Sequence, residues 1–337
     1  MSLSTFLELM LPEIEDELKK NVDSINKSEL GELHTMLSYH LGWEGEGAGS
    51  KARGKRIRPL LLLLTAATTG EDWCKALPCA AAVELVHNFS LIHDDIQDES
   101  PFRRGRLTVW KRWGIPQAIN AGDSMFALAH TALDNLNDSV PYKVKIKAHQ
   151  IIPQACLTLT QGQFLDLAYE KRGNLSTSDY WPMIKGKTAS LLATCTELGA
   201  LIAGASEKEV TLYRMFGECV GLAFQVYDDI LGIWGDSALT GKSAESDLVT
   251  GKKSLPILFA LEKDGKFAKH WKNTGINSEE VLEMAEVLRS EGAYDYAKCE
   301  SDKLTRQALE WLGKLNLDGT AAEALIELSN QLTCREH

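Results

Sequence analysis

Apolar residues recur along this chain with the period of an α-helix, and in two segments they do so on nearly every face. AAAVELVHNFSLIHD (80–94) and SLLATCTELGALIAG (190–204) leave almost no polar stripe for water, so each belongs in the middle of a bundle, sheathed by other helices. The segments 59–69, 76–98, 117–136, 143–170, 183–204, 207–233 and 253–263 repeat the pattern, and Leu7, Leu11, Ile14, Leu18 and Ile25 make a stripe near the N-terminus. Strand alternation is nearly absent. Turn residues interrupt the pattern at 42–54, near Pro101, at Pro141, and at 173–182, 232–251 and 265–275. The expected fold class is all-α, a single large helical bundle. With no linker or composition break in 337 residues, the expectation is one domain over 1–337.

A net charge of -11 excludes a general polyanion binder, because nucleic-acid affinity needs a basic face. The cysteines at 74, 79, 156, 195, 219, 299 and 334 are scattered without a CxxC pair and read as reduced, buried residues, which favours a cytoplasmic protein. The first 20 residues mix acids into their apolar positions and do not read as a signal peptide. The longest aliphatic run, Leu60 to Leu64, is too short to span a bilayer.

One stretch breaks this ordinary pattern. HDDIQDESPFRRGR (93–106) sets four carboxylates beside three guanidinium groups. A residue before proline is pushed out of the α region, so the helix should stop at or before Ser100 and leave Asp94, Asp95 and Asp98 in its last turns. Carboxylates there face the negative end of the helix dipole as well as one another, and they call for a cation. Asp94 and Asp98, spaced i, i+4, share a face. A second instance, FQVYDDILGIWGD (224–236), again puts a pair, Asp228 and Asp229, on an apolar helix, just before Gly232 and Gly235, which should end it. Two such ends facing each other would offer only hard oxygen ligands, suited to magnesium, which keeps waters and shares phosphate oxygens with a substrate. The plain alternative is a pair of solvated acidic helix ends. His93 is read as a packing residue.

The cationic elements give the acids a purpose. Arg103, Arg104 and Arg106 suit bidentate phosphate binding. In GKRIRP (54–59), Pro59 should open the next helix and turn its free N–H groups, with Lys55 and Arg58, toward an anion. KGKT (185–188) lacks the upstream glycine of a Walker loop and is no ATP cradle. The loop TGKSAESDLVTGKKS (240–254) adds Lys242, Lys252 and Lys253. One diphosphate held through magnesium by carboxylates, and a second held by arginines without metal, would need both signs of charge close together.

GKRIRP, the first aspartate motif with RRG, GQFLD (162–166), the Lys187-Thr188 pair, and FQxxDD with its downstream lysines come in one order over roughly residues 50–260. In this the chain resembles the trans-isoprenyl diphosphate synthases, or polyprenyl synthetases. The resemblance implies a bundle with a deep central cavity, a homodimer, and condensation of isopentenyl diphosphate with an allylic diphosphate. By motif position, Asp94, Asp98 and Asp228 look like magnesium ligands, supported by Asp95 and Asp229. Arg103, Lys187 and Lys242 resemble the residues that hold the allylic diphosphate. Lys55, Arg58, His87 and Arg104 resemble the isopentenyl diphosphate site. Thr188, Gln163 and Gln225 align near the reacting carbons, Asp166 with a further active-site acid, and Lys252 with a lysine that closes over the site. Metal and cationic side chains would then stabilise the departing diphosphate, and the allylic cation would be attacked by the isopentenyl double bond. The chain departs from the commonest pattern at Gly232, where many members have a third aspartate, and at Trp110, where many have histidine.

Ser90 lies one turn before Asp94, and Phe89 one residue deeper, about 7 Å down the helix. In the family a bulky residue at this fifth position accompanies short products, so the expected product is geranylgeranyl diphosphate (C20), with farnesyl diphosphate (C15) or a somewhat longer chain as alternatives. The plain alternative for Phe89 is a core ring. A class I terpene cyclase would lack GKRIRP and carry a different second motif. A noncatalytic partner subunit would have lost the first motif, and a purely structural bundle leaves the gathered charges unexplained.

Overall fold

The computed structural model describes residues 1–25, 27–70, 72–235 and 247–333, with the backbone alone at 273 and 274. Helix follows helix: α1 (Leu3–Val22), α2 (Lys27–His40), α3 (Ser50–Arg53), α4 (Ile57–Ala67), α5 (Leu77–Gln97), α6 (Val109–Trp113), α7 (Ile115–Thr131), α8 (Tyr142–Glu170), α9 (Thr177–Ile184), α10 (Ser190–Ile202), α11 (Glu207–Trp234), α12 (Asp247–Thr250), α13 (Leu255–Lys263), α14 (Lys266–Thr274), α15 (Val281–Ser290), α16 (Ala293–Gly313) and α17 (Thr320–Thr333). Among the described residues the only strands are β1 (Phe102–Arg103) and β2 (Arg106–Leu107), a short antiparallel hairpin pairing Phe102 with Leu107 and Arg103 with Arg106. The all-α class expected from the periodicity holds.

The chain forms two compact units. One comprises Met1–Cys156, Thr194–Arg214 and Leu317–Leu325; the other comprises Leu157–Ala193, Met215–Asn316 and the segment from Ile326 onward. In the first, α5 is buried on almost all sides from Pro78 to Phe89, packed by α7, α4 and α1, as an apolar-all-round helix requires. The α4 leucines 60–64 are likewise buried. In the second unit the core gathers Tyr180, Val226, Ile230, Ile233, Leu258 and Phe267.

Four expectations shift. The buried stripe of α1 is Leu3, Phe6, Met10, Ile14, Leu18 and Val22, whereas Leu7, Leu11 and Ile25 are only half-buried; the polar gaps alone left the rotation of this helix open. Helix α4 begins at Ile57, not Pro59, and proline still sits in the first turn, where its missing N–H has no partner to lose. Helix α11 runs through Gly232 and stops only before Gly235. Cys79, Cys156, Cys195 and Cys219 are buried thiols, but Cys74 and Cys299 are exposed, and Cys334 lies outside the described residues. No helix among the described residues is long and apolar enough to cross a membrane.

Candidate active site

In the first unit the first aspartate motif closes α5. The helix ends at Gln97, with Asp98 as its cap, the Asp98 N–H donating to the Asp94 carbonyl at 2.9 Å. The two adjacent acids part company: Asp94 is half-buried and Asp98 exposed, while Asp95 is 1% exposed. Arg103, reaching back from β1, donates from Nε to Asp95 Oδ1 at 2.7 Å and lies 3.6 Å from Asp94. The other oxygen of Asp95 has no hydrogen-bond partner. Burial lifts the Asp95 carboxyl to a pKa of about 6 against the opposing pull of Arg103.

The arginines divide into two jobs. Arg106 is spent on structure: it donates to the carbonyls of Tyr39 (2.7 Å), Glu44 (2.6 Å) and Glu46 (2.9 Å), and its guanidinium lies 3.9 Å over the Tyr39 ring. The expected phosphate role for Arg106 is therefore corrected, since each of its three guanidinium nitrogens is engaged in holding the 39–46 segment. Arg56 of GKRIRP is likewise structural, buried with Glu15 (2.7 Å) and Glu84 (2.9 Å). Arg58, by contrast, keeps an unpartnered Nε. Arg104 donates one guanidinium nitrogen to the carbonyls of Ala52 and Arg53, and Lys55 is exposed. His87 feels Arg58, Arg104 and Arg103; burial first, then these cations, holds its pKa well below the ordinary histidine value. His40, at the end of α2, was not singled out in the sequence; it shares that field, is depressed for the same reasons, and has an unpartnered Nε2. Trp110 also has a physical account: its indole N–H donates to the Ser100 carbonyl at 2.8 Å, beside Thr108 Oγ1 at 2.9 Å, and so holds the chain leaving the motif.

Phe89 is 8% exposed and meets Phe126 of α7 edge-on, with 5.2 Å between ring centroids. Ser90 turns its hydroxyl to the His87 carbonyl at 2.7 Å. His93 packs edge-on to Phe89 and lies 3.5 Å from the Ile119 carbonyl, as read from the sequence.

In the second unit, GQFLD and KGKT meet through their glycines. A Cβ on Gly186 would come within 2.7 Å of Gly162 Cα and 2.9 Å of the Thr158 carbonyl, so only glycine lets the two helices approach this closely. Residues 185–189 form one π-turn between α9 and α10, a bulge that re-aims side chains. Lys187 makes an ion pair with Asp166, and the Thr188 hydroxyl donates to Gln225 Oε1 at 2.7 Å. Gln163 is half-buried on the same helix as Asp166.

On α11 the second pair divides like the first: Asp228 is exposed and Asp229 is 1% exposed. Asp229 accepts from the Tyr180 hydroxyl (2.6 Å), Gln225 Nε2 (3.0 Å) and the Leu255 N–H (3.2 Å), with Lys252 Nζ at 3.4 Å. Burial alone would lower the Lys252 pKa; the carboxylates of Asp229, Asp247 and Asp228 outweigh it and hold the ammonium above its ordinary value. Tyr180 and Asp247 were missed in the sequence, which carries no signal for either because neither lies in the aspartate motif. Asp166, Lys187, Thr188, Gln225, Asp228 and Lys252 line one cleft of about 160 Å³. Lys242 lies outside the described residues.

The polyprenyl synthetase profile matches residues 48–290. A farnesyl diphosphate synthase of Mycobacterium tuberculosis is 36% identical over 314 residues, covering 90% of this chain and 86% of that protein. A geranylgeranyl diphosphate synthase from the same organism is 38% identical over 312 residues, with coverages of 90% and 86%. A crystal structure of a polyprenyl synthetase from Streptomyces coelicolor superposes with a TM-score of 0.87 at 33% identity over 98% of this chain and 99% of that one. The chain belongs to the polyprenyl synthetase family of short-chain trans-isoprenyl diphosphate synthases and is a prenyltransferase.

Proposed function

We propose that the chain condenses isopentenyl diphosphate head to tail with allylic diphosphates, requires Mg2+, and stops at geranylgeranyl diphosphate. The observation that carries the reading is the shared design of the two acid pairs, each with an accessible aspartate (Asp94, Asp228) beside a buried, bonded one (Asp95, Asp229). Asp94, Asp98 and Asp228 would hold the metal. Among the described residues no three acid, histidine or cysteine groups gather into a ready cage, and two-acid sites of hard oxygens fit a cation that completes its shell with waters and phosphate oxygens. When bound, Mg2+ supplies the charge that stabilises a departing diphosphate.

Arg103, Lys187, Lys242 and Lys252 are assigned to the allylic diphosphate, with Asp166 holding Lys187. Lys55, Arg58, His87 and Arg104 are assigned to isopentenyl diphosphate, bound without metal; the unpartnered Nε of Arg58 supports this. Thr188, Gln163 and Gln225 are assigned to the reacting carbons, where water must be kept from the allylic cation. The released diphosphate takes the final proton. We place both units in one catalytic domain because the family profile runs through both. A homodimer is supported by Ile115, Ile119 and Phe126, exposed along α7. The cytosol suits the buried free thiols.

The Phe89 ring, backed by Phe126, is the proposed floor of the chain pocket. The relative named a farnesyl diphosphate synthase favours C15 as the second reading. The test is to incubate the protein with Mg2+, isopentenyl diphosphate and each allylic diphosphate in turn, and to size the products by mass. Phe89→Ala should lengthen the product by at least one five-carbon unit; an unchanged product removes Phe89 as the floor, and no condensation at all refutes the activity.

A further inference from the structure

Arg56 stands between Lys55 and Arg58, the two cations of GKRIRP assigned to isopentenyl diphosphate, in a conformation that an L-residue avoids: φ 48° and ψ 38°, the left-handed region. Glycine is the usual occupant of such a position. An arginine there has to be held, and its side chain does the holding. The residue is 3% exposed. Its guanidinium donates from Nε to Glu15 of α1 at 2.7 Å, from Nη1 to Glu84 of α5 at 2.9 Å and from Nη2 to the Leu41 carbonyl at 3.1 Å.

The anchors are themselves anchored. Glu15 Oε2 accepts the Trp43 indole N–H at 2.5 Å, and Glu84 Oε1 accepts from Asn88 Nδ2 at 3.0 Å. Two buried carboxylates exceed what one guanidinium needs, and the surplus charge serves the neighbouring cations: burial lowers the pKa of Arg58 and of Arg104, and in both the leading opposing pull is Glu84. The turn that supplies Leu41 and Trp43 also bears on the loop, since a Cβ on Gly42 would come within 2.5 Å of the Arg53 nitrogen. Arg104 donates to the carbonyls of Ala52 and Arg53. Lys55, Arg58 and Arg104 thus take their places from one short segment, 52–58, and Arg56 ties that segment to the interior. Glu15, Leu41 and Trp43 all lie ahead of the residues that the family profile spans.

We propose that Arg56 is a positioning residue for isopentenyl diphosphate and that Glu15 acts through it: the fork clamped between Glu15 and Glu84 holds the left-handed turn on which Lys55 and Arg58 are mounted. The N-terminal helix then sets the affinity for a ligand that other residues bind. This rests on the assignment of Lys55 and Arg58 to isopentenyl diphosphate given above.

The test measures steady-state kinetics of the full-length protein with Mg2+, varying isopentenyl diphosphate at saturating geranyl diphosphate and then the reverse. Arg56→Lys keeps the charge but loses the planar fork that spans both acids. It should raise the KM for isopentenyl diphosphate at least about tenfold, the scale of one lost charge-assisted hydrogen bond. The KM for geranyl diphosphate should stay within about twofold and kcat within about threefold, the pattern of lost ground-state binding, with circular dichroism like that of the wild type. Both oxygens of Glu15 accept from donors, so in Glu15→Gln the amide NH2 must face one of them and break that bond. Removing a negative charge would by itself favour a diphosphate and lower its KM, whereas lost positioning should raise it about threefold. An unchanged KM for isopentenyl diphosphate in folded Arg56→Lys, an equal rise for both substrates, or an unchanged or lower KM in Glu15→Gln overturns the proposal. If Arg56→Lys does not fold, Glu15→Gln decides alone. Lys55→Ala is run alongside. If it leaves the KM for isopentenyl diphosphate at the wild-type value, the assignment of the site itself fails; if it raises that KM and Arg56→Lys does not, only the positioning role falls.

Discussion

The two aspartate centres begin from the same sequence device and are finished differently. In each, one acid of an adjacent pair points outward and the other is buried. In the first unit the buried acid, Asp95, leans on a single partner, Arg103, and leaves one oxygen bare. In the second, Asp229 is satisfied by a tyrosine hydroxyl, a glutamine amide and a backbone N–H, with a lysine close by. The difference is between a centre whose positive charge can be recruited by a ligand and one locked before any ligand arrives. Arg103 is shared between acids and the proposed diphosphate, whereas three of the four groups around Asp229 are uncharged.

The most severe way to break the comparison is to remove the outward acids. Asp94→Ala and Asp228→Ala should each lower kcat by about 10³-fold, the scale of losing one element of transition-state charge stabilisation, as read by steady-state product formation. A variant with ordinary turnover would mean that its centre takes no part. The buried acids separate the centres more sharply. Asp229→Ala strands several donors and a lysine and should cost about 3–5 kcal/mol of stability, whereas Asp95→Ala should cost about 1–3 kcal/mol. Urea unfolding measures both, and equal losses would erase the distinction drawn here.

The contributions of two buried groups, His87 in the first unit and Asp247 in the second, should depend on pH with opposite signs. His87 has a folded pKa well below its unfolded value, so as pH falls below 6.5 the unfolded chain takes a proton that the folded one refuses. The wild type therefore loses, relative to His87→Gln, up to about 1.4 kcal/mol per pH unit until the folded pKa is reached. Asp247 behaves oppositely: burial raises its carboxyl to about 7, against the pull of Lys252 and with help from Asp229 and Asp228. As pH falls from about 7 to 4 the folded protein takes its proton first, and the metal-free wild type gains on Asp247→Asn at up to the same rate. Thermal melts of the three proteins from pH 8 to 5 read both slopes, and like signs would contradict the burial argument. The smallest effect is expected from Tyr180→Phe, about 1 kcal/mol for one hydrogen bond to Asp229; a loss as large as that of Asp229→Ala would make the tyrosine, and not the set of donors, the anchor.

Much of this was legible in the residues because it is local. A 3.6-residue period, a proline after an acidic run and glycines between apolar segments announce α5, α7, α8 and α11 within a few residues of their observed bounds. The order of the charged motifs carried the family. The division of labour among the arginines was not legible: Arg104 and Arg106 lie two residues apart, yet Arg106 is consumed by carbonyls of residues 39–46, some 60 positions away in the chain. Sequence spacing says nothing about such partners.

The sequence by itself therefore determined that the chain is helical, where its acids and cations sit, and which chemistry they suit, because periodicity and motif order survive without a third dimension. Only the tertiary structure decided which acid of each pair faces outward, which cations are already spoken for, and what lies against Gly232. Those outcomes depend on burial and on hydrogen-bond donors brought from distant elements. Tyr180 reaches Asp229 across 49 residues, and Asp247 fills the space above Gly232 from a separate helix; contacts of that kind exist only once the chain has packed.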